Sequence, residues 1–150
     1  SARGGLSGNR FPWGDTISHS QANYYSWSHY GYDVSLTSCY HPLWNQGSVP
    51  FTSPAGSFSP NGFGLYDMVG NVSEWCNDWY ATWYYSESPT TNPTGPDFLA
   101  DPYLSSTGGA RIIRGGGWNT FADPCRVSYR VGYLPGSCGD GLGFRVVLPK

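Results

Sequence analysis

Glycine and proline fill 33 of the 150 positions, 21 and 12 respectively. Glycine favours turns with positive φ, and proline removes a backbone donor and fixes its own φ. A chain so punctuated cannot sustain long helices or wide sheets, so a turn-rich fold with little regular structure is expected. Its core must then come from side chains rather than from stacked elements. Seven Trp and twelve Tyr, within an aromatic content of 17%, supply that material and argue against disorder. One hundred and fifty residues suit one domain, or most of one.

Charge narrows the function. Only 12% of residues are charged, against roughly 25% in average globular proteins. The net charge of -2 argues against a nucleic-acid partner. Lys150 is the sole lysine, and five of the seven arginines fall between positions 111 and 145. Clustered arginine can mark a phosphate site. The reading favoured here is structural: guanidinium forks pairing carboxylates and backbone carbonyls inside an irregular fold. No run of eighteen apolar residues is present, so no membrane span is expected.

Four cysteines, Cys39, Cys76, Cys125 and Cys138, form no CxxC pair, which argues against a zinc knuckle or thioredoxin-type site. They permit one or two disulfides, whose pairing stays open, and would suit a secreted, periplasmic or cell-surface protein. His19, His29 and His41 show no ligand spacing and read as loop surface residues.

Along the chain, residues 1 to 15 read as turns closing on Phe11-Pro-Trp-Gly-Asp15, and residues 23 to 60 as a long ordered loop pinned by aromatics. Leu65 to Met68 suggests one helical turn, Glu74 to Tyr80 a strand, and Arg111 to Trp118 a buried strand ending in a glycine turn. Residues 86 to 109, rich in Ser, Pro, Thr and Gly, read as the most exposed segment. A short helix is expected over 123 to 131, after Pro124, and a final core strand over Gly143 to Leu148.

Four motifs occur in one order: Arg10-Phe-Pro-Trp-Gly14, the run from Pro60 to Trp75 (PNGFGLYDMVGNVSEW), Arg114-Gly-Gly-Gly-Trp118 and Gly143-Phe-Arg145. Together they closely resemble the formylglycine-generating enzyme (sulfatase-modifying factor) family over nearly the whole chain. The resemblance implies an irregular, loop-rich α+β fold related to C-type lectins. It also implies that residues 1 to 150 are the C-terminal part of a single such domain. The opening Ala2-Arg-Gly-Gly5 resembles a point midway through it. A missing N-terminal piece, or a partner chain, is then expected to complete the core.

Catalytic members of that family oxidise a sulfatase cysteine to formylglycine with a copper ion held by two cysteines. Counting back from Gly143-Phe-Arg145, Arg126 and Arg130 match two arginines of the family, Cys125 falls on an aromatic position, and the catalytic positions fall among Gly117 to Ala122, where no cysteine stands. A forward count from Arg114 instead puts Thr120 at the first catalytic position and Cys125 at the second. Either way one thiolate remains at most, and Cu(I) favours paired soft sulfur. The expectation is therefore a non-catalytic relative without copper. The alternative is a formylglycine-generating oxidase.

The same resemblance implies a structural calcium held by the Asp67 and Glu74 side chains and the Gly70 and Val72 carbonyls. Carboxylates and main-chain carbonyls are the oxygens calcium takes. The alternative is that Asp67 caps a turn and Glu74 pairs with an arginine. A second calcium site is implied near Ala22-Asn23, with Asn23 as a ligand and Asp33 as a candidate downstream acid. Asn71-Val-Ser73 is formally a glycosylation sequon, but lies inside this turn and is expected to stay unmodified.

Residues 119 to 123 and 133 to 140 combine small, polar and aromatic side chains, the chemistry of adaptable binding surfaces. Trp118, Asn119, Thr120, Phe121, Asp123 and Tyr133 are the ligand-contact candidates, for a protein or glycan ligand. Some relatives of this fold are ligand-binding proteins whose C-terminal segment is diversified, and this segment resembles theirs in position and composition.

Overall fold

A computed structural model describes residues 1–91, 93–98, 101 and 108–146. Its regular elements are few: β1 (Ser73–Trp79), α1 (Tyr84–Glu87), β2 (Arg111–Arg114), β3 (Val131–Tyr133) and β4 (Leu142–Gly143). The four strands form one sheet in the order β3-β2-β1-β4. β1 runs antiparallel to β2, with an irregular register between Trp75 and Trp79, and β2 runs antiparallel to β3. β4 lies parallel to β1 at the edge, pairing Ser73 with Leu142 and Glu74 with Gly143. Both strands expected around residues 74–80 and 111–114 are present.

The main core does not lie on this sheet. Phe11, Ile17, Ala22, Tyr24, Val69, Ala122 and Cys125 pack together, with Trp13, Tyr30 and Tyr32 against them. They come from loops far apart in sequence, so the loops themselves carry the hydrophobic burial. Ile112 and Ile113 of β2 are buried with Ala81 and Ala110 on the sheet side.

Gly70 shows why the central motif contains glycine. Its φ is +76°, and a Cβ there would stand 2.5 Å from the Asn23 carbonyl oxygen. The Gly70 N–H donates to Gly115 O and the Asn71 N–H to Asn23 O, so this turn joins the long loop to the glycine turn after β2. The Asn71 side chain is spent on Ser53, accepting from its N–H and donating to its carbonyl.

Four expectations are corrected. Leu65–Met68 makes no helical turn, because Asp67 takes a φ of +52°. Residues 123–131 form turns that lead into β3 at Val131 rather than a helix: Arg126 N–H reaches Asp123 O, Tyr129 N–H reaches Arg126 O, and Val127 N–H goes to the distant Arg10 O. The final strand is cut to Leu142–Gly143, with Phe144 77% and Val146 78% exposed rather than buried; Val147 and Leu148 lie outside the described residues. His41 is no surface residue; it is 4% exposed and its ring packs on His19.

The arginines behave as expected of structural forks. Arg3, Arg10, Arg111, Arg114 and Arg130 all donate to backbone carbonyls, and Arg126 pairs with Asp123. Three of them also cover aromatic faces: Arg10 on Tyr32, Arg111 on Trp79 and Arg130 on Tyr85. Most of the described residues within 86–109 are exposed, and Asp101 ties the segment back by accepting from the Thr82 N–H and hydroxyl; residues 92, 99–100 and 102–107 lie outside the described residues. All four cysteines are free, so the disulfides that the cysteine count permitted are not formed. Among the described residues no helix is long and apolar enough to cross a membrane.

Candidate functional site

The Asp67–Glu74 turn lines a cleft of about 570 Å³. Asp67, Gly70, Val72 and Glu74 all face it, together with Tyr66, Phe144 and Arg145. The four residues singled out from sequence are thus brought to one place. The positive φ at Asp67 and Gly70 folds the chain back so that both acids reach the same side. Asp67 Oδ2 accepts from the Gly56 N–H at 2.6 Å, while Oδ1 is buried without a hydrogen-bond partner among the described residues.

Glu74 is held by Arg145, which donates to Oε1 at 2.7 Å and to Oε2 at 3.0 Å. The same guanidinium donates to the Tyr66 and Asp67 carbonyls. Its hydrogen bonds to Glu74 raise the Arg145 pKa above its ordinary value. Turn-capping by Asp67 and arginine pairing by Glu74, the structural alternative, are both realised. An unsatisfied carboxylate oxygen remains beside them. Among the described residues no cluster of three His, Cys, Asp or Glu side chains forms, but two donors of this set are main-chain carbonyls.

Asn23 and Asp33 are not brought to a common site. Asn23 donates to Phe51 O and Asn71 Oδ1. Asp33 accepts from the Tyr24 hydroxyl at 2.6 Å and from the Trp27 and Ser35 N–H groups.

The segment after β2 carries the second feature. Gly116 has a φ of +70°, and a Cβ there would stand 2.7 Å from Cys125 Sγ and 3.0 Å from Thr120 Oγ1. The two side chains that the forward count aligns with a catalytic pair therefore sit side by side. Thr120 Oγ1 also accepts from the Gly117 N–H at 2.8 Å. Cys125 is completely buried; that burial pushes its thiol pKa up to about 12, against a weaker opposing hydrogen bond from Thr120. A thiol so placed is neutral and inert.

Above it opens a cleft of about 300 Å³ lined by Tyr25, Trp27, Tyr40, Asn119 and Phe121. Of the ligand-contact candidates, only Asn119 and Phe121 line it. Trp118 is buried beneath, packed on Tyr40 and Phe51. Thr120 is spent locally, and Asp123 pairs with Arg126 and accepts from the Tyr32 hydroxyl. Tyr133 stands on β3 against Trp75, away from the cleft. Tyr25, Trp27 and Tyr40 were not singled out from sequence. The signal for Tyr25 and Trp27 was the Tyr-Tyr-Ser-Trp-Ser pattern at 24–28, Tyr40 had none, and nothing indicated which segment they would face.

The sulfatase-modifying factor enzyme 1-like domain matches this chain over residues 1–150. The chain belongs to that family. It is 35% identical over 147 residues to the formylglycine-generating enzyme of Streptomyces coelicolor, covering 96% of this chain and 42% of that one. Among solved structures, PvdO from Pseudomonas aeruginosa matches with a TM-score of 0.64 at 30% identity, over 95% of this chain and 46% of that one. Treponema denticola variable protein 1 matches with a TM-score of 0.63 at 30% identity, over 95% and 41%. The chain spans less than half the length of these relatives. Membership in the sulfatase-modifying factor family accords with the irregular α+β architecture, in which a small mixed sheet is embedded in loops.

Proposed function

We propose that this chain is a non-catalytic member of the sulfatase-modifying factor family, a calcium-stabilised binding or structural module of a secreted or surface protein. The observation that carries the reading is the state of Cys125. It is the only thiol between Arg114 and Arg130, it is sealed in the core, and a threonine hydroxyl stands beside it. Oxidase chemistry of the family's kind needs two thiolates on copper, and one buried neutral thiol supplies none.

The oxidase remains the second reading because one observation favours it: Thr120 and Cys125 meet in space as a metal-holding pair would. Turnover decides. The chain, supplied with copper and oxygen, is incubated with a peptide carrying a sulfatase-type cysteine, and the product is read by mass. Unchanged peptide is expected. Formylglycine product that vanishes in Cys125→Ser would replace this reading with the oxidase.

Calcium fits the residues present. Asp67 Oδ1 is buried and unsatisfied, Glu74 shares its cleft, and the donors are all oxygen. Asp67, Glu74 and the Gly70 and Val72 carbonyls would hold the ion. Arg145 would share Glu74 with it or yield its place. Bound calcium would neutralise the two acids and fix the turn that joins Asn23 to Gly115. Calcium titration followed by melting should raise Tm in the wild-type chain and leave Asp67→Asn unmoved. An equal rise in both would remove Asp67 from the site.

A binding role draws support from the exposed aromatic cleft on the segment that a catalytic pair would occupy. A ligand-binding surface asks for rigid aromatic anchors and small polar neighbours, and both are present there.

A further inference from the structure

Three loops meet at the aromatic cleft, and backbone hydrogen bonds set their positions. The Tyr25 N–H donates to Thr120 O and the Ser26 N–H to Cys39 O, each at 2.9 Å. This brings residues 25–27, 39–40 and 119–121 together around about 300 Å³ of open space. That volume lies at the lower end for small-molecule sites, so the cleft takes one ring rather than an extended chain.

The rings are already held in place. Tyr25 stands edge-on to Tyr40 at 4.7 Å and to Phe121 at 5.5 Å. Tyr40 rests on Phe51 and the buried Trp118. Trp27 is stacked by His29 at 4.8 Å and contacts Phe121 at 5.0 Å. Trp27 and Phe121 nonetheless stay 41% and 39% exposed. Two large apolar rings fixed at the surface lose little freedom when they cover a ligand.

The lining chemistry then chooses the ligand class. None of the five side chains carries a charge, so a charged ligand would lose its hydration without gaining an ionic partner. An ammonium cage needs free ring faces around the cation, and Trp27 already spends one on His29. What the cleft offers instead is mixed: two phenol hydroxyls, one indole N–H and one amide, set among apolar rings. Among the described residues none of these groups is spent on a hydrogen bond within the fold. The matching ligand is neutral, with a flat C–H face and hydroxyls around its edge.

We infer that Tyr25, Trp27, Tyr40, Asn119 and Phe121 form a subsite for a single neutral sugar ring, which stacks on the exposed aromatics and hydrogen-bonds to Asn119 and the tyrosine hydroxyls. The inference rests on the reading of the chain as a binding module and goes beyond it in naming the ligand class. It needs no metal, since none of the Asp67–Glu74 residues lines this cleft.

The test is a tryptophan-fluorescence titration of the chain with methyl glucoside, methyl mannoside, methyl galactoside and N-acetylglucosamine. Choline serves as a cationic probe, and each titration is run with calcium and with EGTA. At least one sugar should saturate in the millimolar range, with and without EGTA. Phe121→Ala should weaken it about tenfold, the loss of one stacking ring. Asn119→Ala, at an exposed position, should weaken it with the melting temperature unchanged, separating a lost contact from a lost fold. Saturation by choline alone, no saturation by any sugar, or sugar binding indifferent to both variants would overturn the inference. A protein ligand found on a surface-protein array and lost in Phe121→Ala would also overturn it, yet leave the binding-module reading standing. Copper-dependent peptide oxidation would instead overturn that broader reading.

Discussion

At Cys125, burial acts on access and on ionisation together. The side chain is sealed beneath Gly116, and its pKa is pushed up to about 12, so neither reagent nor proton loss reaches it under ordinary conditions. Cys138 sits exposed. Labelling the native chain with iodoacetamide near neutral pH should therefore modify Cys138 and spare Cys125 until denaturant is added. Equal rates at both sites would contradict the burial. His19 and His41 show the same physics with the opposite charge. His41 Nε2 meets His19 O at 2.7 Å, His41 Nδ1 accepts from the Leu43 N–H, and the two rings touch. Burial lowers both pKa values from 6.5. A folded pKa below the unfolded one means stability is fully present above about 6.5 and is lost as pH falls from there toward the folded values. Melting temperature should drop between about pH 7.5 and about pH 5, and His41→Gln should flatten part of that slope. A pH-independent Tm across this window would rule out the neutral pair.

Among the elements, the turn before β1 carries the most constraint. At Gly70 a side chain would meet both an unfavourable φ and the Asn23 carbonyl. Gly70→Ala should cost at least about 2 kcal/mol in denaturant unfolding. Gly136→Ala, with no atom within 4 Å of the added Cβ and no positive φ, should change stability by under about 0.5 kcal/mol. Comparable losses at both would mean the turn does not hold the loops together. This turn was legible in sequence because its glycine and asparagine mark a backbone that other residues rarely adopt. β1 and β2 were legible from apolar and aromatic runs. The end of the chain was not. Gly143 to Leu148 reads as a core strand by composition, but β4 lies at the sheet edge, and Phe144 and Val146 face outward. Whether an apolar strand residue is buried depends on what covers its face, and local sequence does not state that.

Across the whole molecule, the core and both clefts are built where distant loops converge. Phe11, Tyr24, Val69 and Cys125 share one cluster, and the aromatic cleft draws on three segments. Asp67, Gly70, Val72 and Glu74 were read as a set through the family resemblance, and their closeness on one turn let it carry over residue by residue. Tyr25, Trp27 and Tyr40 were not, because their meeting with Phe121 is a long-range event. The two clefts differ in chemistry: one is lined by the Asp67 and Glu74 carboxylates proposed to hold calcium, and the other is neutral and aromatic, with no thiol in its lining. Metal content tests that difference most directly. The purified chain, exposed to Cu(I) and Ca²⁺ together and then freed of unbound metal, is assayed by elemental mass spectrometry. The account predicts equimolar calcium, lost in Asp67→Asn, and no copper. Equimolar copper that disappears in Cys125→Ser would contradict it.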